Sequence, residues 1–191
     1  RRRARAGTGS ILPDELREDS LPYGSQLELP ALLGLKYLIV GGHATARYMP
    51  PRMTVDTDIL VLGDDLPEAE RLLTAAGGTR LGPLAIGGSS WRLPTGHSLD
   101  LITLDQPWVA EALKTAVLDD RGRPFASLPF LILMKLESSR LQDLADISRM
   151  LGYASTEQVK AARAIIVRYR PQDLEDFDSM LQLGQLEHER Q

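Results

Sequence analysis

The 191-residue chain has no cysteine, which excludes disulfide staples, thiolate zinc sites and cysteine nucleophiles. Histidine is scarce as well: His43, His97 and His188 are too far apart in sequence to suggest a histidine-rich metal centre. No apolar run approaches the ~18–20 residues that a membrane-spanning helix needs. No secretory signal pattern is recognisable either, so the expected setting is the cytoplasm, away from membranes. An excess of positive charge is also missing. With 22 basic and 26 acidic residues the net charge is −4, which argues against a dedicated nucleic-acid coat. What remains is 43% hydrophobic and 25% charged, the balance of a globular chain of one domain with room for a small helical appendage.

Along the chain, Arg1, Arg2, Arg3 and Arg5 followed by Gly7-Thr8-Gly9-Ser10 read as a flexible basic tail over residues 1–13. A core unit over 14–106 follows, partly helical at 14–35. Residues 36–40 form a short apolar strand, ended by Gly41-Gly42. A second strand is expected over 55–62. The next helix is read with Asp65 as its cap, Glu68 three residues on, and Gly77-Gly78 at its end. Residues 82–91 suggest a hairpin, and 98–104 a further strand. From 107 to 191 the pattern is mainly helical. Two helices lie within 128–151, broken near Ser138-Ser139-Arg140. A capping box at Ser155 and Gln158 opens a helix running to Tyr169, and Pro171 begins the last helical segment. The fold class is therefore α/β (α+β): a small mixed sheet flanked by helices, with a helical region packed on it.

The chemistry concentrates between residues 37 and 58. A strand ends in Gly41-Gly42, where the absence of side chains lets backbone approach a ligand closely. Asp56 and Asp58, two apart on a strand, point to one face. Paired carboxylates repel unless a proton or a hard, oxygen-seeking cation intervenes, and magnesium is the natural partner. Asp100, between Leu99 and Leu101, is costly to bury without a partner. If its strand neighbours the first, three carboxylates face a glycine turn, an arrangement suited to two metal ions. Each feature alone is ordinary, and Asp64-Asp65 shows how an acidic pair serves as a solvated turn.

Taken together, Gly41, Gly42, Ala44, Arg52, Thr54, Asp56, Asp58 and Asp100 resemble the polymerase-beta-type nucleotidyltransferase superfamily. More narrowly, they are similar to bacterial AbiEii-type toxin-like members. That group also carries a downstream lysine, then an arginine and an Asp-x-x-Asp pair, matched here by Lys135, Arg140, Asp143 and Asp146. Three positions depart from the pattern, at Met49, Thr57 and Leu141. The resemblance implies magnesium-dependent transfer of a nucleoside monophosphate from a nucleoside triphosphate to a hydroxyl acceptor, with release of pyrophosphate. By this resemblance Asp56, Asp58 and Asp100 hold two Mg2+ ions, for which Mn2+ could substitute, and Asp100 helps to activate the attacking hydroxyl. Gly41 and Gly42 cradle the triphosphate. Arg52 or Lys135 neutralises phosphate charge, with Lys135 preferred for the terminal phosphates, and Thr54 either orients an aspartate or simply favours the strand. Asp143 is either an ion-pair partner of Arg140 or, with Asp146, a contact to the Lys135 ammonium near the nucleotide.

The same resemblance suggests a toxin–antitoxin or phage-defence role, with transfer RNA as candidate acceptor and a cognate antitoxin as candidate partner. Two alternatives stand beside it. One is modification of a small molecule, as in antibiotic-modifying relatives. The other is a catalytically silent antitoxin that binds nucleotide or a partner. Lys160, Arg163, Arg168 and Arg170 form a basic cluster that either meets RNA phosphates or is a solvated helix face. His43 and His97 read as packing or turn residues rather than ligands.

Overall fold

The computed structural model describes residues 34–54 and 56–189. The tail expected over 1–13 and nearly all of the helix expected over 14–35 lie outside the described residues. Strand β1 (Tyr37–Ile39) leads into a five-residue helix α1 (Gly41–Thr45), and β2 (Asp56–Val61) follows. Next come α2 (Leu66–Ala75), the hairpin β3 (Thr79–Pro83) and β4 (Gly88–Arg92), and β5 (Ser98–Thr103). Helix α3 (Val109–Lys114) and two short strands, β6 (Val117–Leu118) and β7 (Pro124–Phe125), precede four helices. These are α4 (Leu128–Ser138), α5 (Leu141–Tyr153), α6 (Thr156–Tyr169) and α7 (Leu174–His188). Among the described residues, no helix is long and apolar enough to cross a membrane.

The strands form one mixed sheet of seven in the order β3-β4-β5-β2-β1-β7-β6. β1 runs antiparallel to β2, while β2 and β5 are parallel. β7 adds to the far side of β1 in parallel, so residues within the expected helical region extend the sheet. β2 is graded along its length. Asp56 is exposed at its start, whereas Ile59, Leu60 and Val61 are fully buried. Polar residues are thus tolerated at one margin of the sheet while the other end anchors the core.

Helix α4 is apolar almost all round, and seven of its eleven residues are buried. Such a helix belongs inside the core, and it takes Lys135 in with it. The break between α4 and α5 falls where the sequence suggests. Ser139 ends α4 in the left-handed region at φ 50°, and its hydroxyl donates to the Leu136 carbonyl at 2.7 Å. The capping box of α6 is complete: the Gln158 amide donates to Ser155 Oγ at 3.2 Å, and the Ser155 amide donates to Gln158 Oε1 at 2.8 Å.

The expected cap at Asp65 does not form. Asp65 lies in a 3-10 turn, Gly63–Asp65, with helical backbone angles, so its side chain cannot reach back over the first turn of α2. Glu68 instead takes a bidentate pair with Arg71. Helices α5 and α7 cross with almost no side chain between them. A Cβ on Gly184 would lie 2.0 Å from the Ser148 carbonyl oxygen, and one on Gly152 would lie 2.5 Å from that of Gly184.

Candidate active site

The parallel pairing of β2 with β5 sets Asp58 directly beside Asp100 and Asp56 beside Ser98. On the other flank, the Val40 amide at the end of β1 donates to the Asp58 carbonyl at 2.9 Å. The chain then turns through Gly41 at φ +60° into α1. A Cβ at Gly41 would stand 1.7 Å from Asp58 Oδ2, so backbone occupies the space where any other residue would collide with the carboxylate. Gly42 is placed in the same way against Thr54, at 2.2 Å from Oγ1. Thr54 therefore packs on the glycine turn.

Burial raises the Asp58 carboxyl to about 6, reinforced by the neighbouring charges of Asp100 and then Asp56. Lys135 and Arg140 act in the opposite sense, which places their positive charge within electrostatic reach of this carboxylate.

The second part of the site is a buried ion network. Lys135, 5% exposed, donates through its ammonium to Asp143 Oδ1 at 2.7 Å and to Asp146 Oδ2 at 2.8 Å. A buried ammonium needs such partners, because desolvation of an unpaired charge costs several kcal/mol. Arg140 donates to Asp143 at 2.6 Å, and Ser138 to the same carboxylate oxygen. Arg52 clasps Asp146 through two bonds of 3.2 and 3.1 Å, while Gln142 adds a third donor at 3.1 Å. Burial acts to raise both carboxyls. Hydrogen bonds from Arg140, Lys135 and Ser138 outweigh it at Asp143, and those from Arg52, Lys135 and Gln142 do so at Asp146. Both are held below the usual carboxylate range. Three cations meet two carboxylates, leaving one net positive charge beside the Asp58–Asp100 pair.

The residues named from sequence thus fall into two adjoining groups. Asp58, Asp100, Gly41, Gly42 and Thr54 surround the sheet margin, with Asp56 two residues along. Arg52, Lys135, Arg140 and Asp143 form the ion network. Asp143 makes both of the ion pairs weighed from the sequence, to Arg140 and to Lys135. Asp146, fully buried, gathers more donors than sequence spacing suggests. Ser138 and Gln142 are additions; the only sequence signal was the placement of Gln142 four residues before Asp146 on one helix.

Among the described residues, no group of three or more His, Asp or Glu side chains is drawn together closely enough to hold a metal ion unaided. Magnesium does not require such a cage. It is commonly held by one or two carboxylates, with waters and substrate phosphates completing its shell. Adjacent carboxylates, one of them raised by burial and then by its neighbours' charge, suit that mode of binding, and Asp58 and Asp100, with Asp56 two residues along, are the residues that could supply it.

Other expectations resolve differently. Arg163 pairs with Asp178 at 3.0 Å and Arg168 with Glu111 at 3.0 Å, while Arg170 pairs with Asp173. Three of the four basic-cluster residues are therefore already matched by carboxylates. Burial, followed by the Arg123 charge, lowers the His43 pKa, and His97 lies 3.4 Å from Thr95 Oγ1. A cavity of about 410 Å³ opens elsewhere, between Arg47, Tyr48, Leu128, Met150 and Tyr153. No carboxylate borders it, and the chemistry argued from the aspartates does not depend on it.

No protein-family model matches the chain, and no curated protein does. Among solved structures it is similar to a crystal structure of ANT(2")-Ia in complex with adenylyl-2"-tobramycin. The identity is 17% and the TM-score 0.45, covering 78% of this chain and 87% of that one. It is likewise similar to a solution structure of the antibiotic-resistance factor ANT(2'')-Ia, at 18% identity and TM-score 0.44, over 82% and 88% of the two chains.

Proposed function

We propose that the chain is a magnesium-dependent nucleotidyltransferase, moving a nucleoside monophosphate from a nucleoside triphosphate to a hydroxyl group with release of pyrophosphate. The observation that carries this reading is the register of Asp58 against Asp100 beside a glycine turn with no room for a Cβ. Nucleotidyl transfer needs positioning and charge neutralisation more than covalent help from the protein. Bound divalent ions would supply Lewis-acid polarisation of the phosphate and a lowered pKa for the attacking hydroxyl. Asp56, Asp58 and Asp100 are the residues that would hold them, and manganese has the same oxygen-ligand chemistry.

The chain's own residues supply the rest. Gly41 and Gly42 let the turn's backbone pack directly against the Asp58 and Thr54 side chains, beside which the phosphates would lie. Asp100 takes the proton of the acceptor hydroxyl as its oxygen bonds to the α-phosphorus. The bond from that phosphorus to the bridging oxygen breaks, and pyrophosphate leaves with the electron pair. The net positive charge of the network around Lys135, Arg52 and Arg140 offsets the charge that builds on the leaving group. Asp143 and Asp146 position those cations.

A transfer RNA acceptor, in a toxin–antitoxin setting, would require unpaired cations to meet its phosphates. The ion pairs of Arg163, Arg168 and Arg170 favour a small hydroxylated molecule instead. Both readings are tested by incubating α-labelled nucleoside triphosphates and Mg2+ with a cell extract. The parent is compared with a variant carrying Asp56→Ala and Asp58→Ala. Label entering a small molecule with the parent alone is the expected result. Label on RNA would move the acceptor to nucleic acid, and equal label with both proteins would refute the aspartate site.

A further inference from the structure

The sheet register carries the row of Asp58 and Asp100 one strand further. β4 runs antiparallel to β5, with Ser90 level with Asp100 and Arg92 level with Ser98. Residues directly opposite across two strands share a face, their Cβ atoms about 5 Å apart. The alternation of burial agrees. Ser89, Trp91, Leu99 and Leu101 are buried on the face that packs on α2, where Ser89 donates to Glu70 at 2.6 Å. Ser90, Arg92, Ser98 and Asp100 therefore occupy the opposite face, with Asp58 and Asp56. Two rows result: Asp58, Asp100 and Ser90, all half-buried, then Asp56, Ser98 and Arg92, with both ends exposed.

The carboxylates divide this margin. The glycine turn stands on the β1 side, next to Asp58, and two hydroxyls and a guanidinium stand on the β4 side, next to Asp100. Among the described residues no carboxylate pairs with Arg92, whose hydrogen bond goes to the Gly96 carbonyl at 3.2 Å. Most of its donors stay free for a ligand. There is room as well: Gly82 lies level with Ser90 on β3, and a Cβ built on it would meet no atom within 4 Å. No aspartate or glutamate occurs in β3, in β4 or in the turn from Leu93 to His97.

Resting on the nucleotidyl-transfer reading, we propose that the β4 side of the margin receives the acceptor, a small polyol bearing an anionic phosphate or carboxylate. Ser90 hydrogen-bonds the acceptor's hydroxyls and holds the reacting one beside Asp100. Arg92, on the diagonal from Asp100 at about 7–8 Å, binds the anionic group through charged hydrogen bonds. A sugar of a few carbons covers that span. The acceptor oxygen bonds to the α-phosphorus, its proton passes to Asp100, and pyrophosphate leaves with the electron pair. An amino sugar would set its ammonium groups against Arg92 with no spare carboxylate to receive them, so cationic acceptors are rejected. A nucleic acid needs a row of unpaired cations, and β4 holds only Arg92.

The test pairs binding with transfer. The full chain with Mg2+ and inorganic tripolyphosphate is titrated by NMR with ribose phosphate, gluconate, ribose, glucosamine and a short RNA. The same acceptors are then offered with α-labelled nucleoside triphosphates. The parent is compared with Ser90→Ala, Arg92→Gln and Arg92→Glu, with melting temperatures as the check on folding. Ribose phosphate and gluconate should bind the parent roughly tenfold tighter than ribose, the scale of a charged hydrogen bond, and glucosamine more weakly still. Arg92→Gln should erase that preference, and Arg92→Glu should turn it towards glucosamine. Ser90→Ala should weaken every polyol a few-fold, about the scale of one neutral hydrogen bond. A parent that prefers glucosamine, or does not distinguish anionic from neutral polyols, overturns the proposal. So does an Arg92→Gln variant that loses tripolyphosphate and polyol alike, which would put Arg92 on the nucleotide side. Label entering RNA ahead of every small acceptor overturns it too. Anionic polyols bound through Arg92 without any transfer of label support this subsite and refute the function beneath it. Label passing to polyols regardless of Arg92 refutes the subsite alone.

Discussion

Replacing Asp58 by asparagine should stabilise the metal-free protein while ending its chemistry. The side chain keeps its shape and loses the charge that Asp100 and Asp56 oppose. In the folded protein the Asp58 carboxyl is raised to about 6 from its ordinary 3.8. The folded state therefore holds a proton on this group more tightly than the unfolded chain does. Stability from Asp58 is present at low pH and lost as pH rises from about 4 to about 6, with no further loss above that. The gap corresponds to about 3 kcal/mol, or about 6–12 °C in melting temperature for a chain of this size. Urea or thermal unfolding of the parent and Asp58→Asn between pH 4 and 8, without divalent ions, measures it. The variant should be the more stable protein at pH 7.5, and the two curves should converge near pH 4. Magnesium should raise the parent's melting point at pH 7.5 but barely at pH 4.5, and should do little for the variant. A variant no more stable than the parent at pH 7.5, or a difference that does not shrink on acidification, would refute the reasoning.

Three further outcomes are expected. Lys135→Met leaves Asp143 and Asp146 buried without the ammonium they share and should cost about 3–5 kcal/mol in denaturant unfolding; a near-neutral result would mean that Arg52 and Arg140 suffice. Gly41→Ala drives a methyl group into the Asp58 carboxylate at a positive φ, so transfer activity should fall at least tenfold, measured with α-labelled nucleotide; retained activity would show that the turn can relax. Gly184→Ala should destabilise by about 1–3 kcal/mol through overpacking against the Ser148 carbonyl, although alanine favours helix over glycine by about 1 kcal/mol. A rise in melting temperature would show that α5 and α7 can separate at little cost.

Much of the fold is legible in the sequence wherever a signal is local. The apolar run at 36–40 ended by two glycines, the alternation through 98–104, and the Ser155–Gln158 box each carry their own explanation. Strands β6 and β7 escape that reading, because two-residue strands have no periodicity and owe their existence to the neighbour they pair with. Asp65 misleads for a related reason: its spacing to Glu68 fits a cap, but an added 3-10 turn shifts the backbone. The site divides along the same line. Spacing puts Asp56 and Asp58 on one face, and Asp143 and Asp146 on another, yet it says nothing of Asp100 lying level with Asp58. Nor does it show that a lysine on a nearly all-apolar helix ends between two aspartates. Those contacts arise from strand order and helix reversal, which are properties of the whole chain.

The parallel alignment of β2 with β5 also bears on how the molecule comes together. The β4–β5 hairpin closes locally, whereas β2 must wait for α2 and the β3–β4 hairpin before it meets β5. Pairing over such a separation is slow, because loop entropy is lost before contacts repay it. The step that joins β2 to β5 is also the one that forces Asp58 against Asp100. The chain therefore brings this carboxylate pair together against its own charge, and a cation arriving early would ease that step.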